Sequence, residues 1–203
     1  PRRGWSISLF CDAGTPLISA PCYVLVSQCR KRGITVTALP GPCAAITALS
    51  AAGLPTDQFK FDGFLPVKQQ ALTNALEALI GRTYTTVFYE APRRILATVE
   101  MIREVLGPDR HIVVAKELSK TFETYVSGNA TDVIDWLTED AAHQKGEFVL
   151  MIAGEVIEQA DIPTEAMSLL ALLADDLPLK KAAGIVAQHY GLKKNALYQA
   201  GLA

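Results

Sequence analysis

Two short segments carry residue types suited to binding a small polar ligand. Asp12–Thr15 reads Asp-Ala-Gly-Thr, follows the apolar run 7–11 and is closed by Pro16. Glycine frees this turn for positive φ and the alanine leaves little bulk, so bare backbone can approach a ligand beside one carboxylate and one hydroxyl. The turn Pro40–Pro42 leads into a helix of small residues, whose exposed N–H groups favour a carboxylate. An ordinary strand-to-helix turn and tight helix packing explain these two segments equally well.

A third loop, Glu90–Arg94, places a carboxylate and two guanidinium groups after another apolar run. Loops that follow parallel strands lie at one edge of an open α/β sheet and together wall a crevice. No G-x-x-x-x-G-K-[ST] motif is present, and no G-x-G-x-x-G opens a helix. Because backbone donors, a carboxylate and a hydroxyl occur without a phosphate cradle, the crevice suits an adenosyl amino acid better than a nucleotide phosphate.

The composition narrows the class of protein. The chain has 203 residues, of which 50% are hydrophobic and 20% charged, and its net charge is −2; this is typical of a globular protein. No apolar run reaches the ~18–20 residues of a membrane span, and the first residues do not resemble a signal peptide. The four cysteines form no CxxC pair and the three histidines lie away from them. We therefore predict free thiols, a reducing cytoplasm and no metal site.

Strand-like and helix-like stretches alternate as far as about Gly154. This alternation predicts an α/β fold with mainly parallel sheets. The predicted strands are residues 7–11, 34–39, 59–65, 85–90, 111–118, 122–126 and 148–153, and the predicted helices are 21–32, 43–52, 68–80, 93–106 and 130–139.

The pattern is helical throughout from Thr164 onward. One amphipathic helix ends at Asp175-Asp176, a second covers 179–190, and a short third covers 193–202. The last two, joined across Gly191, resemble a helix-turn-helix. From Pro178 to the last residue, this tail contains four lysines and no acidic residue. The tail is therefore interpreted either as a phosphate-binding surface or as a solvated basic face on a helical cap.

Seven blocks, in order along nearly the whole chain, resemble the tetrapyrrole methylase superfamily. More narrowly, they are similar to the ribosomal RNA small subunit methyltransferase I family. That family begins with a further strand and a loop that helps hold the methyl donor. The resemblance therefore implies two α/β units of tetrapyrrole-methylase type, the first truncated (1–57) and the second at 58–158, with a small helical C-terminal tail at 164–203. The blocks are residues 11–18, 39–49, 63–66, 88–94, 116–123, 145–149 and, in the tail, 177–183 with 191–198.

The resemblance also implies an activity. It is S-adenosylmethionine-dependent methylation of the ribose 2′-hydroxyl of a decoding-centre cytidine in 16S rRNA. The implied partner is 16S rRNA or the small ribosomal subunit, and the implied enzyme is a cytoplasmic homodimer that binds no membrane. The residues implied to hold S-adenosylmethionine are Asp12, Ala13, Gly14, Thr15, Cys43, Ala44, Phe88, Tyr89, Ala115, Gly146, Glu147 and Phe148.

Methyl transfer to a hydroxyl needs the attacking oxygen placed in line with the methyl group. It also needs a base that removes the hydroxyl proton or a cation that stabilises the negative charge on the oxygen. The candidates for this second task are Glu90, Lys116, Glu117, Lys120 and Glu123. A surface ion-pair network is the other interpretation of at least half of them. The candidate phosphate contacts, which would give salt-dependent RNA affinity, are Lys68, Arg93, Arg94, Lys180, Lys181, Lys193 and Lys194.

The sequence departs from the family pattern in three places. Residues 20–22 read Ala-Pro-Cys where the family usually has Asp-Pro-Gly, residues 69–71 replace a basic pair, and Arg93 stands where histidine is common. Two other functions stay open at this point. One is C-methylation of a corrin or porphyrin, as in other members of the superfamily; the other is a non-catalytic nucleic-acid-binding module that uses the tail.

Overall fold

The computed structural model describes residues 6–9, 14–15, 23–155 and 162–202. The chain divides into two compact units, Pro1–Glu155 and Val156–Ala203. Within the described residues, no helix is long and apolar enough to cross a membrane.

A five-stranded sheet with strand order β1-β2-β5-β3-β4 forms the centre of the first unit. Among the strands that the structure describes, only β1 and β2 pair in parallel; the other three neighbouring pairs are antiparallel. For this sheet the prediction of mainly parallel pairing is therefore wrong, while the α/β class is confirmed. The connection between β3 and β4 contains no helix, so β4 can return only in the antiparallel direction, and β5 inserts between β2 and β3 against their direction. The strands are β1 (Phe59–Phe64), β2 (Thr85–Glu90), β3 (His111–Lys116), β4 (Thr124–Asn129) and β5 (Phe148–Ile152).

Helices cover both faces of this sheet. Alternate strand residues such as Phe88 and Leu150 pack with α3, α4 and α5, whereas Val87 and Met151 on the other face pack with α2. The two faces follow from the period of two in a β-strand. The helices of this unit are α1 (Tyr23–Lys31), α2 (Ala44–Ala51), α3 (Gln69–Glu77), α4 (Ile95–Leu106) and α5 (Ala130–Glu139), the last followed by a 3-10 turn (Ala141–Gln144).

The two strands predicted near the N-terminus are corrected by the structure. Residues 6–9 and 34–39 form no strand, while Phe10 and Cys11 lie outside the described residues. The side chains of Ile7 and Leu39 are largely exposed. A strand needs a neighbour for its backbone N–H and C=O groups, and within the described residues neither segment pairs with the five-stranded sheet. An apolar, β-branched composition is therefore not sufficient to form a strand where no neighbouring strand pairs with the segment.

The second unit is all helical, as predicted. Its core consists of small residues on the middle helix, among them Ala182, Ala183 and Val186, which pack against Leu170 and Leu197. Gly191 ends that helix in the left-handed conformation, with φ of 67°, which is common at helix C-termini. The helices are α6 (Thr164–Asp176), α7 (Leu179–Tyr190) and α8 (Lys194–Ala200).

Candidate active site

One edge of the sheet gathers the ends of several strands. In the ladder, Glu90 pairs with Phe148, Phe148 with Lys116, and Lys116 with Thr124. The carboxyl ends of β2 and β3 therefore lie beside the amino ends of β5 and β4. All five candidates for base or cation come from this edge or from the loop that joins β3 to β4.

The Gly14-Thr15 segment contacts the loop that precedes α2. Thr15 donates to the carbonyl oxygen of Pro42 twice, from its backbone N–H at 2.7 Å and from Oγ1 at 3.0 Å. A Cβ on Gly41 would lie only 3.1 Å from Thr15 Oγ1, and Gly14 has φ of 72°. The structure thus brings together the two loops that the sequence indicated. Asp12 and Ala13 lie outside the described residues.

The start of α2 lies against Tyr89 of β2. Cys43 is the N-cap residue and forms no side-chain cap, with Ala44 next in the helix. The backbone N–H of Ala45 donates instead to the hydroxyl oxygen of Tyr89, at 3.3 Å. Burial raises the pKa of Tyr89 above its ordinary value, and the hydrogen bond from Ala45 opposes that rise. The hydroxyl is therefore neutral at pH 7. The contact of Thr15 with Pro42 and that of Tyr89 with Ala45 therefore lie at the same end of α2, on either side of Cys43 and Ala44 in the chain.

The buried members of the proposed cofactor set divide between the faces of the sheet. Ala115 faces α2, the same side as Tyr89. Phe88 and Phe148 face α3, α4 and α5 and are almost completely buried. The structure therefore does not bring these two aromatic rings to Cys43.

Glu90 is fully buried on the face that carries α4. Its Oε1 accepts from the backbone N–H of Ala91 at 2.7 Å, and its Oε2 accepts from Thr98 Oγ1 at 2.8 Å. Arg94 lies 3.4 Å from Oε2 and also donates to the carbonyl oxygens of Leu65 and Pro66. The pair links the loops that follow β1 and β2. This arrangement fits a residue that positions loops, because the carboxylate is turned away from α2.

Lys116 lies on the same face as Glu90, on the other side of Phe148 in the ladder. It is almost completely buried, and its Nζ donates to the carbonyl oxygen of Ala142 at 2.7 Å. This hydrogen bond ties the end of β3 to the 3-10 turn. The structure therefore separates Lys116, like Glu90, from the α2 face.

The β3–β4 loop carries a charged cluster at the sheet edge. Lys120 Nζ donates to Glu117 Oε1 at 2.9 Å and to Glu147 Oε2 at 2.7 Å. Glu117 Oε1 also accepts from the backbone N–H of Glu147 at 2.9 Å. These hydrogen bonds, that of Lys120 first, lower the pKa of Glu117. The hydrogen bonds that Lys120 donates to Glu147 and, second, to Glu117 raise the pKa of Lys120. Glu117 is therefore ionised, and Lys120 is cationic, at neutral pH.

The backbone around this cluster is unusual. Glu117 and Ser119 have positive φ, 53° and 58°, which residues other than glycine rarely adopt. Gly146 has φ of 103°, and a Cβ there would lie 2.6 Å from Glu117 Oε1. Only glycine allows this approach. Glu123 closes the loop, because its Oε2 accepts from the backbone N–H of Ser119. Such conformations concentrate at functional sites.

The proposed phosphate contacts differ in their exposure and in whether other residues already engage their charged groups. Lys68 and Arg93 are exposed in the loops that follow β1 and β2, and neither forms an ion pair among the described residues. Arg94 is engaged with Glu90 and two carbonyl groups. In the second unit, four exposed lysines stand at the starts of α7 and α8: Lys180, Lys181, Lys193 and Lys194.

Two aromatic residues beside Tyr89 were not singled out from the sequence. The ring centroid of Phe61 lies 4.8 Å from that of Tyr89, and the centroid of Phe64 lies 5.7 Å from it, both edge-to-face. A signal was available, since Gly63 interrupts an otherwise strand-like run and glycine inside a strand often marks a bulge.

Comparisons with known proteins identify relatives over the whole chain. The family model "Tetrapyrrole (Corrin/Porphyrin) Methylases" matches residues 6–134, and the model "RsmI C-terminal HTH domain" matches residues 160–203. Ribosomal RNA small subunit methyltransferase I of Escherichia coli O157:H7 is 49% identical over 201 residues, which are 99% of this chain and 70% of that protein. The protein of the same name from Haemophilus influenzae is 50% identical over 204 residues, or 100% and 72%.

A solved structure agrees with this at the level of the fold. Cobalt precorrin-4 methyltransferase CbiF superimposes with a TM-score of 0.50 at 14% identity, covering 69% of this chain and 61% of that one. At so low an identity the likeness concerns the fold alone. The identity to the curated relatives and the two matching family models are decisive: the chain belongs to the ribosomal RNA small subunit methyltransferase I family of tetrapyrrole methylases.

Proposed function

We propose that this protein uses S-adenosylmethionine to methylate the ribose 2′-hydroxyl of a cytidine in 16S rRNA. Relatives that share about half of its residues and are named small subunit rRNA methyltransferases support the proposal. The structural observation that carries it is the contact of Thr15 with Pro42 beside the start of α2. There, backbone groups and small side chains of two loops lie within reach of one ligand.

The residues around this contact fit an adenosyl amino acid. Glycine at position 41 lets the two loops approach closely, because a Cβ there would lie 3.1 Å from Thr15 Oγ1, and Gly14 adopts a positive φ of 72°. The first turn of α2 contains no acidic residue, so its N–H groups favour the carboxylate of the ligand. When bound, S-adenosylmethionine supplies a methyl group on a sulfonium. We propose direct contacts from Asp12, Ala13, Gly14, Thr15, Cys43, Ala44, Tyr89, Gly146 and Glu147, with Phe88, Ala115 and Phe148 supporting them from within the sheet.

The charge on the attacking oxygen is proposed to be handled by the cluster in the β3–β4 loop. Lys120 places a cation at the sheet edge, held by Glu117 and Glu147, and a positioned cation stabilises a developing oxyanion. Glu123 remains a candidate base in the same loop. Glu90 and Lys116 are proposed to act through position, because each is buried on the face away from α2 and bonded to backbone or side-chain partners.

The RNA is proposed to lie along the same edge, with phosphates near Lys68 and Arg93. A hydroxyl acceptor explains a preference for RNA, since DNA lacks it, and an unpaired nucleotide reaches a crevice more easily than a paired one. Arg94 contributes by fixing its loop. The second unit adds phosphate contacts through Lys180, Lys181, Lys193 and Lys194. By family likeness, we also propose a cytoplasmic homodimer that acts on 16S rRNA or the small subunit.

The test is methyl transfer by the full-length protein. Purified small subunits and their rRNA are incubated with methyl-labelled S-adenosylmethionine, and labelled nucleosides are separated. We expect label in 2′-O-methylcytidine, and its loss after nuclease treatment of the RNA. Label that appears only in small molecules, or an absorbance change with a uroporphyrinogen-type substrate, would contradict the proposal.

A matched pair of variants tests the cofactor site. Thr15→Val removes the side-chain hydrogen bond to Pro42 while its backbone bond stays. Thr37→Val makes the same change at an exposed threonine elsewhere in the N-terminal segment. We expect weaker donor binding by calorimetry for the first variant and unchanged binding for the second. Equal affinities would count against this location for the donor.

A further inference from the structure

We propose that Phe64 binds the RNA by stacking on one of its bases. The proposal rests on the proposed function and adds a base contact to an edge where only phosphate contacts have been assigned so far. Its evidence is the way in which β1 turns this side chain out of the usual alternation.

A shift in the β1–β2 ladder determines where Phe64 points. Phe61 pairs with Val87, and the next pair in register is Phe64 with Tyr89, so β1 contains one residue more than β2 over this interval. Gly63 has φ of 70° at that point. Without the extra residue, Gly63 would stand beside Tyr89 and Phe64 would face the other side. Bulges of this kind re-aim side chains and occur next to active sites.

The ring of Phe64 is held at one side and open at the other. It contacts the ring of Tyr89 edge-to-face, yet 59% of the residue remains exposed. Phe61 supports Tyr89 from the neighbouring position. An aromatic platform with a free face is the usual binding surface for an unpaired base.

The platform adjoins the proposed methyl-donor site through a single residue. The ring of Tyr89 contacts Phe64, while its hydroxyl accepts from the backbone N–H of Ala45 at the start of α2. A base stacked on Phe64 would therefore place its nucleotide next to that helix end. A nucleotide in this position can present its ribose to the proposed donor site.

The segment after Phe64 is fixed, which favours binding without reorganisation. Leu65 is buried in the core. Arg94 donates to the carbonyl oxygens of Leu65 and Pro66, and Glu90 holds Arg94 in turn. The buried pair described above thus fixes the backbone immediately after the exposed ring.

The charges near the platform favour RNA as the occupant. Lys68 follows on the same loop, and Arg93 lies on the neighbouring loop that Arg94 fastens to it; both are exposed. An aromatic ring with exposed cations on its own and the adjacent loop matches a base flanked by phosphates. A second copy of this chain is the other possible occupant, and the experiment below distinguishes it.

The experiment compares substitutions at Phe64 with one at Phe59. Phe59 lies at the opposite end of β1 and is also exposed, at 42%. For each full-length variant, KM for a small-subunit rRNA fragment, kcat and donor affinity are measured. We expect Phe64→Ala to raise KM for RNA by about 5- to 150-fold, the range for one stacked base, with donor affinity unchanged. Phe64→Leu should behave like alanine, and Phe64→Trp should restore KM and show fluorescence quenching by RNA. Phe59→Ala should match the wild type.

Several outcomes would overturn the inference. One is an active wild type whose KM for RNA is unaffected by Phe64→Ala, which leaves the proposed function standing. Another is Phe64→Leu that binds RNA as well as the wild type, because leucine has bulk but no π face. A third is Phe64→Ala that turns a dimer into a monomer in sedimentation, which would assign the ring to a contact between copies. Wild type that transfers no methyl to RNA would instead refute the proposed function, and this inference with it.

Discussion

Tyr89 accepts a hydrogen bond at 3.3 Å from the backbone N–H of Ala45, 44 residues earlier in the chain. The hydroxyl thereby takes the place of the side-chain cap that Cys43 does not provide at the start of α2. It also fastens this helix to β2 next to the edge where the strands end. One side chain therefore links the proposed donor site to the aromatic cluster.

Replacing this hydroxyl separates its role from that of the ring. Tyr89→Phe keeps the contacts with Phe61 and Phe64 but leaves the N–H of Ala45 without its partner. We expect a loss of about 0.5–1.5 kcal/mol in the free energy of unfolding, together with weaker donor binding. Urea unfolding and calorimetry measure the two effects. Tyr84→Phe is the control, since the hydroxyl of Tyr84 makes no hydrogen bond among the described residues, and an equal loss in both variants would contradict the cap.

Glu90 is predicted to matter for stability more than for the chemical step. Glu90→Gln keeps the shape but removes the charge beside Arg94, so we expect about 1–3 kcal/mol lower stability. Loss of a general base costs about 10²- to 10⁴-fold in rate. We expect kcat of the folded variant to fall by less than about tenfold. Thermal unfolding and single-turnover rates at low temperature test this. A 10²- to 10⁴-fold loss of rate in a variant with an unchanged melting temperature would identify Glu90 as the base.

From β1 onward, local patterns in the sequence predicted the elements well but not how the strands pair. The bounds of β2 and α5 are as predicted, because α5 begins at a capping box formed by Asn129 and Asp132 and its apolar face repeats with the helical period. The order and direction of the strands depend on which strands become neighbours, and β5 reaches its place between β2 and β3 through contacts distant in sequence. Periodicity carries no information about such contacts.

The candidate site shows the same division. The sequence indicated the loops that meet at the Thr15–Pro42 contact, because glycine and proline mark turns from the local sequence alone. The sequence analysis also placed Tyr89, as a donor contact, and Glu90, as a candidate base, in the same site, although adjacent strand residues face opposite sides of a sheet. The alternation alone would have assigned one of them to the far face. The turn of Phe64 toward Tyr89 depends on the bulge at Gly63, and the presence of a glycine does not reveal which way the next residue points.

The cluster around Lys120 predicts a particular pH dependence. The pKa of Glu117 is lowered in the folded protein, so its contribution to stability is present above its unfolded-state pKa and is lost as the pH falls through the folded value. The pKa of Lys120 is raised, so its contribution is present below the unfolded-state pKa and is lost as the pH rises through the folded value.

Lys120→Met tests this linkage. It removes the largest cause of the lowered pKa of Glu117, so we expect that pKa to rise toward its ordinary value. Carboxyl NMR titration measures this pKa directly. At acidic pH, the free energy of unfolding of the variant should also depend less on pH, because Glu117 no longer contributes. Lys145→Met is the matched control, because Lys145 is exposed and forms no ion pair among the described residues. An unchanged titration of Glu117 in Lys120→Met would show that the ion pair does not form in solution.

Gly184 lies in the middle of α7, where glycine costs helix stability relative to alanine. The stem and Nζ of Lys194 pass 3.5 Å from the position that a Cβ would take, so the ammonium of α8 lies over the helix that carries Lys180 and Lys181. Alanine meets Lys194 at an ordinary contact distance. Gly184→Ala should therefore stabilise the protein by about 0.5–1 kcal/mol and leave RNA affinity unchanged. Gly184→Glu places a carboxylate within reach of Lys194, so the slope of log affinity against log salt should become shallower by about one lysine's share. RNA binding measured at several salt concentrations decides the matter, and equal slopes for the two variants would remove Lys194 from the RNA-binding surface.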